Sequence, residues 1–286
     1  MIEVRYNKFN TRTLFGNNMF QYCLGRILAQ ELGYALVAEP IPYFPATADV
    51  VAGDRFESPV ETLTGQIVDL AAVSRDRRPR KLLLEGWFQR SEYYRPYQSQ
   101  IREWLAFDPA IRRPAERPDV VVHVRRTDFV SNGWALPFSF YESALSRLLP
   151  NGGDVWVLTD DPGDPFFRNF RKWTPRFTSN TAIEDLVFMT QAKRLVMSQS
   201  TFSWWAAFLG EPDEVICPVP SFGAWAGSVG EIALIESDRF TCIPCPEPYR
   251  MTQRESWHWQ RRVFHRRVVL HLNRRFGWSL KEPINF

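Results

Sequence analysis

Apolar positions along the chain follow two periods that alternate with one another. Across residues 17–33, NNMFQYCLGRILAQELG, the side chains Met19, Phe20, Cys23, Leu24, Ile27, Leu28 and Leu32 recur at three- and four-residue spacings. That spacing predicts an amphipathic helix, with Gly33 as its C-cap. Short apolar runs predict strands at 34–40 (stopped by Pro40), 81–89, 120–124, 154–162, 193–200 and 214–220. The helical period returns at 91–107, 139–150, 181–192 and 201–210. Pro96 falls early in the 91–107 helix, where proline is tolerated best. Strand and helix in alternation predict an α/β fold with a doubly wound sheet rather than a bundle or a sandwich. Segment 108–119, DPAIRRPAERPD, is polar and holds three prolines. It is the expected seam between a domain at 1–115 and a second at 116–245, with 246–286 as a tail.

In open α/β sheets, ligands bind beyond the carboxyl ends of the strands. Three polar clusters fall at such ends: His123-Val-Arg125-Arg126-Thr-Asp128, Thr159-Asp160-Asp161, and Ser198-Gln-Ser200-Thr201-Phe-Ser203. The third opens a helix, so its amides and hydroxyls would face an anion. Two adjacent arginines after a valine-rich strand supply the matching cation, and an arginine fork with a helix N-terminus makes a phosphate site. Neither G-x-x-x-x-G-K-[ST] nor G-x-G-x-x-G is present. The commonest nucleoside triphosphatase and dinucleotide readings fall away, which leaves a sugar nucleotide or similar diphosphate. Thr159-Asp160-Asp161-Pro162 resembles a metal-binding D-x-D, but capping of a turn by Asp160 or Asp161 is the preferred reading. Trp204 and Trp205 are expected in the core rather than as a sugar platform.

The whole chain has 286 residues, 45% hydrophobic and 15% aromatic, with a net charge of +3. Charge sharpens the picture at one end only. Residues 254–281 hold eight Arg or Lys and the single acid Glu255, a local +7 that leaves −4 for the remainder. Such a body is a poor electrostatic footprint for nucleic acid. The basic tail interleaves Trp257, Trp259, Phe264 and Trp278. That composition fits an in-plane helix on an anionic membrane, the alternative being a helix packed back across the domains. No run reaches the roughly 18–20 apolar residues of a membrane span, and the first residues lack a signal-peptide core. The expected location is cytoplasmic, with peripheral contact at the inner face of the plasma membrane through 254–281. Cys23, Cys217, Cys242 and Cys245 make no disulfide framework, and the C-x-x-C at 242–245 lacks a second ligand pair for zinc.

The strings HVRRTD, VLTDDP and EDLVFMTQAKRLVMSQSTFSWWAAFLG resemble the three shared motifs of the α1,2-, α1,6- and protein O-fucosyltransferase superfamily. GNNMFQYCLGRILAQELG and EGWFQRSEYYRPY are similar to strings of its bacterial α1,2-fucosyltransferase branch, glycosyltransferase family 11. The match runs in order over about residues 14–222. It departs at Asn18, where the family usually has Gln, and at Thr127, where Gly is commoner. The resemblance implies a GT-B-like fold, two Rossmann-like domains facing across a cleft, and inverting transfer from GDP-fucose without metal or other cofactor. The implied acceptor is a galactose 2-hydroxyl of an oligosaccharide or lipid-linked glycan. By position, Arg125 would hold the β-phosphate and carry the catalytic electrostatics. Gly16, Asn17, His123 and Arg126 would lie on the donor side, Asp185 at the guanine, and Ser200, Thr201 and Ser203 at phosphate. Asp128 is the nearest carboxylate for a general base; the competing role is an ion pair orienting the arginines, with Arg126 either supporting the loop or pairing with Asp128.

Overall fold

The computed structural model describes residues 1–6, 15–48, 60–78, 80–178, 180–226 and 232–253, and beyond these residues 255–257, 259–261, 264 and 269. Before the proline-bearing segment 108–119 come β1 (Ile2–Val4), α1 (Phe15–Leu32), β2 (Leu36–Val37), β3 (Val60–Leu63), α2 (Leu70–Arg75), β4 (Lys81–Leu84), α3 (Ser91–Tyr94) and α4 (Gln98–Trp104). After it come β5 (Val120–Val124), α5 (Thr127–Ser131), α6 (Phe138–Leu148), β6 (Asp154–Thr159), β7 (Thr174–Phe177) and α7 (Ala182–Thr190). The series closes with β8 (Arg194–Val196), α8 (Thr201–Leu209), β9 (Glu214–Pro220) and β10 (Thr241–Cys245).

The fold is mixed α/β with two parallel sheets, ordered β2-β1-β4-β3 and β10-β9-β8-β5-β6-β7. In the second, β5, β6 and β7 run out to one side and β8, β9 and β10 to the other. That is the order of a doubly wound sheet, with its switch point between β5 and β8. Every side chain of β5 is buried, as a valine run covered on both faces requires. Each predicted strand is present, mostly shortened. The unforeseen strands are β1, β3, β7 and β10: the last three are sheet edges, largely exposed or carrying a proline, and so lack a continuous apolar run, while β1 is interior but only three residues long.

The expected helix over 91–107 is broken. Pro96 has no N–H to give to the helical ladder, and a 3-10 turn over Arg95–Tyr97 separates α3 from α4, although Arg95 itself keeps helical torsions. Gly33 does close α1, at φ +67°. Helix α1 lies so close on its sheet that a Cβ at Gly25 would stand 2.5 Å from the Val4 side chain. No helix among the described residues is long and apolar enough to cross a membrane.

The two sheets share one core, and α8 joins them. Trp204 and Trp205 are fully buried, as expected of core residues. Phe20 of α1 stands 5.1 Å from Trp204 and 4.7 Å from Trp205, ring centre to ring centre, and Tyr94 of α3 lies 5.8 Å from Trp205. Both indoles are satisfied: Trp205 Nε1 donates to Gly16 O at 2.8 Å and Trp204 Nε1 to Glu236 Oε1 at 3.2 Å. Arg102 of α4 donates to the Gly210 carbonyl at 2.7 Å, tying the other end of α8 to the first sheet's helices. Trp205→Ala should therefore cost about 3–5 kcal/mol of stability, and Trp205→Phe less. Urea unfolding followed by circular dichroism measures this, and a loss under about 1 kcal/mol for the alanine variant would show that the joint lies elsewhere.

Candidate functional site

The sheet order brings the three polar clusters side by side, because β5 sits between β8 and β6. At the switch point His123 Nδ1 is 2.9 Å from Ser198 Oγ, and its ring lies 5.6 Å from Phe202 of α8. Burial, with the nearby Arg125 charge, lowers the His123 pKa to about 3. The imidazole is neutral at physiological pH, so the cationic group here is arginine.

Arg125 and Arg126 have different surroundings. Arg125 donates from Nη2 to Asp128 Oδ1 at 2.5 Å, places Nη1 3.3 Å from Asp160 Oδ2, and lies 5.1 Å over the Phe129 ring. Its side chain keeps 28% exposure, and among the described residues its Nε has no acceptor. Arg126 is 1% exposed. Its Nε donates to Asp164 Oδ2 at 2.9 Å, and the guanidinium stands 4.1 Å from the Phe166 ring and 4.2 Å from the Tyr249 ring. The expected Arg126–Asp128 pair is thus corrected: Asp128 holds Arg125, and Asp164 holds Arg126. Arg126, expected on the donor side, has its guanidinium enclosed by aromatic rings and a carboxylate. Support of the loop is what it provides.

Asp160 organises this turn. Its carboxylate accepts from the Arg126 N–H at 2.8 Å and from the Thr127 hydroxyl, besides facing Arg125. Capping of the following turn falls instead to Asp164, whose Oδ1 accepts from the Phe166 N–H at 2.9 Å. No local pattern announces this role, because the partners Arg125, Arg126 and Thr127 lie more than thirty residues earlier, at the turn from β5 into α5. Among the described residues no group of three or more His, Cys, Asp or Glu side chains is placed to hold a metal.

On the β8–α8 side, Ser200 is the N-cap of α8, its hydroxyl accepting from the Phe202 N–H at 3.3 Å. Thr201 donates to Asn17 Oδ1 at 3.3 Å. Asn17 Oδ1 also accepts from Gln89 Nε2 at 2.9 Å, so the expected Asn17 and Thr201 do meet. Gly16 is required there: a Cβ would stand 2.5 Å from Thr201 Oγ1. Ser203 does not reach this surface. Expected at phosphate, it is fully buried and its hydroxyl faces the Ser198 and Ser200 carbonyls. Gln89 was missed. It follows Phe88, a buried residue at φ +51° whose carbonyl takes the Tyr94 hydroxyl at 2.7 Å. No local pattern announces that turn, although EGWFQRSEYYRPY contains it.

Asp185 sits in the first turn of α7, accepting from Thr178 Oγ1 at 2.9 Å. Burial raises its pKa to about 6 against the hydrogen bonds from Thr178 and Asn180. Most of the basic tail, and with it the expected amphipathic helix over 254–281, lies outside the described residues. Within it, Trp257 and Phe264 are exposed.

The chain resembles glycosyltransferase family 11, whose sequence model, Glycosyl transferase family 11, matches residues 169–222. Two relatives come from Escherichia coli. The O-antigen biosynthesis glycosyltransferase WbnK is 25% identical over 111 residues, 35% of this chain and 37% of that protein. An alpha-1,2-colitosyltransferase is 25% identical over 168 residues, 48% of this chain and 55% of that protein. The chain thus spans about half or less of the length of these relatives. Among solved structures, the α-1,6-fucosyltransferase NodZ soaked with GDP-fucose is 14% identical at a TM-score of 0.47, covering 73% of this chain and 92% of that one. The dodecameric glycosyltransferase TibC from enterotoxigenic E. coli is 12% identical at 0.38, covering 78% and 60%.

The two shifted groups have opposite effects on folding. His123 has a folded pKa below its unfolded value, so stability is lost as pH falls below about 6.5. Asp185 has a folded pKa above its unfolded value, so its contribution declines as pH rises from about 4 to about 6. Asp185→Asn removes the second effect alone. Relative to wild type, its stability should climb with pH over that window, by up to ~1.4 kcal/mol per pH unit. Urea midpoints at pH 4, 5 and 6 measure this; a difference that does not change with pH would refute the raised carboxyl.

Proposed function

We propose that this protein is a glycosyltransferase of the family 11 type that moves L-fucose from GDP-fucose to a glycan hydroxyl, with inversion at the anomeric carbon. The observation that carries this reading is Arg125. It stands at the carboxyl end of the central strand, beside the switch point, held by two carboxylates and with one N–H unpartnered among the described residues. The two parallel sheets support a GT-B-like pair of domains, with the donor on the 116–245 side and the acceptor on the 1–115 side. The galactose 2-hydroxyl is the proposed acceptor group. A second reading, a different deoxy-sugar on the same scaffold, is favoured by the similarity to the colitosyltransferase.

Cleavage of the sugar C1–O bond leaves negative charge on the β-phosphate. A guanidinium fixed in advance stabilises that charge more in the transition state than in the ground state. Arg125 takes this role. Asp128 and Asp160 orient it, and the half-exposed Asp128 reads as that orienting partner rather than as the general base. Ser200 and Thr201 at the α8 N-terminus add amide and hydroxyl donors for the same phosphates. His123 contributes shape and a neutral hydrogen-bonding ring. No metal or cofactor is part of this reading.

Arg125→Ala should lower transfer by roughly 100- to 1000-fold while leaving the fold intact. An acceptor panel assayed with GDP-fucose and other GDP-sugars, with linkages read by NMR, tests donor and acceptor together. GDP should raise the melting temperature more than UDP or ADP does, and equal shifts would overturn the GDP-sugar reading. We further propose peripheral placement on the inner face of the membrane through the basic tail. Full-length protein should co-sediment with phosphatidylserine vesicles in a salt-sensitive way. Equal binding to neutral phosphatidylcholine vesicles would overturn this.

A further inference from the structure

The enclosure of Arg126 is completed by a residue far along the chain. Tyr249 belongs to the segment that follows β10, outside both sheets, yet its ring packs 4.2 Å from the Arg126 guanidinium. The Tyr249 and Phe166 rings are 5.3 Å apart and nearly perpendicular, so the cation lies in the angle between them. The Tyr249 main-chain N–H donates to Ala135 O at 2.8 Å. One residue therefore grips both ends of the 126–135 excursion that carries Asp128: its ring holds the start, its backbone the finish.

We infer that Tyr249 is a positioning residue that sets Arg125 through Arg126. The inference rests on the proposed role of Arg125 at the diphosphate. The route is short and made of fixed contacts. Tyr249 and Asp164 immobilise the Arg126 side chain; the Arg126 N–H donates to Asp160 Oδ1; and the other oxygen of Asp160 faces Arg125 Nη1. Among the described residues Arg126 has Asp164 as its only salt-bridge partner, and its Nη1 has no acceptor. A desolvated guanidinium in that state depends on its ring contacts more than an exposed one would. Without the Tyr249 ring, Arg126 gains room to leave its site and draw the 125–127 backbone with it. The aromatic face is what matters, so phenylalanine should serve and leucine should not.

The test compares Tyr249→Leu, Tyr249→Phe and wild type in the full-length protein by two readouts. Hydrogen–deuterium exchange should show the Arg126 amide opening about tenfold faster or more in the leucine variant, at wild-type rate in the phenylalanine variant, and with β5 unchanged in both. In the transfer assay the leucine variant should lose kcat about tenfold or more with the acceptor KM unmoved, and phenylalanine should restore it. Unchanged exchange at Arg126 in Tyr249→Leu overturns the inference, as does faster exchange throughout β5, which would mark general loss of structure. If wild type itself transfers no sugar, the functional reading fails instead, and the exchange data still decide whether Tyr249 braces the turn.

Discussion

The contact on which the rest depends is the burial of Trp204 and Trp205 against Phe20 and Tyr94. It places one helix of the second sheet inside the core of the first, so neither half closes its core alone. The geometric consequence falls at the helix's amino end. With its indoles pinned and Trp205 bonded to the Gly16 carbonyl, α8 can present Thr201 to Asn17 at only one height. A polar meeting across two sheets would be weak if each side were free to move; the aromatic joint removes that freedom. The close approach explains the need for glycine at position 16, where a side chain would collide with Thr201. Apolar packing thus sets the geometry of a polar site several residues away.

A second constraint is electrostatic and centres on Asp160. Adjacent arginines repel, and a strand end offers each only a few partners. Here the pair is divided: Arg126 turns into an aromatic enclosure with its own carboxylate, and Arg125 stays half open between Asp128 and Asp160. Asp160 spans the division, since its two oxygens hold the backbone of one arginine and face the side chain of the other. Buried ion pairs are poor sources of net stability but costly to break on one side. This one serves to fix which arginine faces outward.

Much of this was legible beforehand, for identifiable reasons. In the second sheet the strands that read clearly are the central ones, largely buried and apolar. The edges β3, β7 and β10 leave no such trace, and β1, interior in the first sheet, is three residues long with Glu3 at its middle and is too short to give one. The helix over 91–107 misled because its period survives the break at Pro96, and periodicity records which face is buried, not whether the backbone is continuous. His123, Arg125, Asn17 and Thr201 stand out in the sequence because they lie at strand or helix ends in unusual runs. Ser200, Thr201 and Ser203 look alike in the sequence, whereas in the fold the rotation about the helix sends the third inward. Asp164 and Tyr249 carry no local signal at all. Their function lies in reaching a residue that the sequence places 38 and 123 positions away.

The charge balance at Arg125 bears on how a diphosphate would be received. One guanidinium faces two carboxylates, so the turn carries no net positive charge by itself. Of the two, Asp160 is also tied to the Arg126 N–H and the Thr127 hydroxyl, whereas Asp128 is about half exposed. Water screens an exposed pair and leaves it worth little. An incoming phosphate therefore competes with Asp128 on favourable terms and with Asp160 on poor ones. The α8 N-terminus adds positive potential at the switch point, in amides and hydroxyls that need no counter-ion. On the proposed reading, a site assembled in this way would keep its arginine in place when unliganded, through a contact weak enough to yield to phosphate.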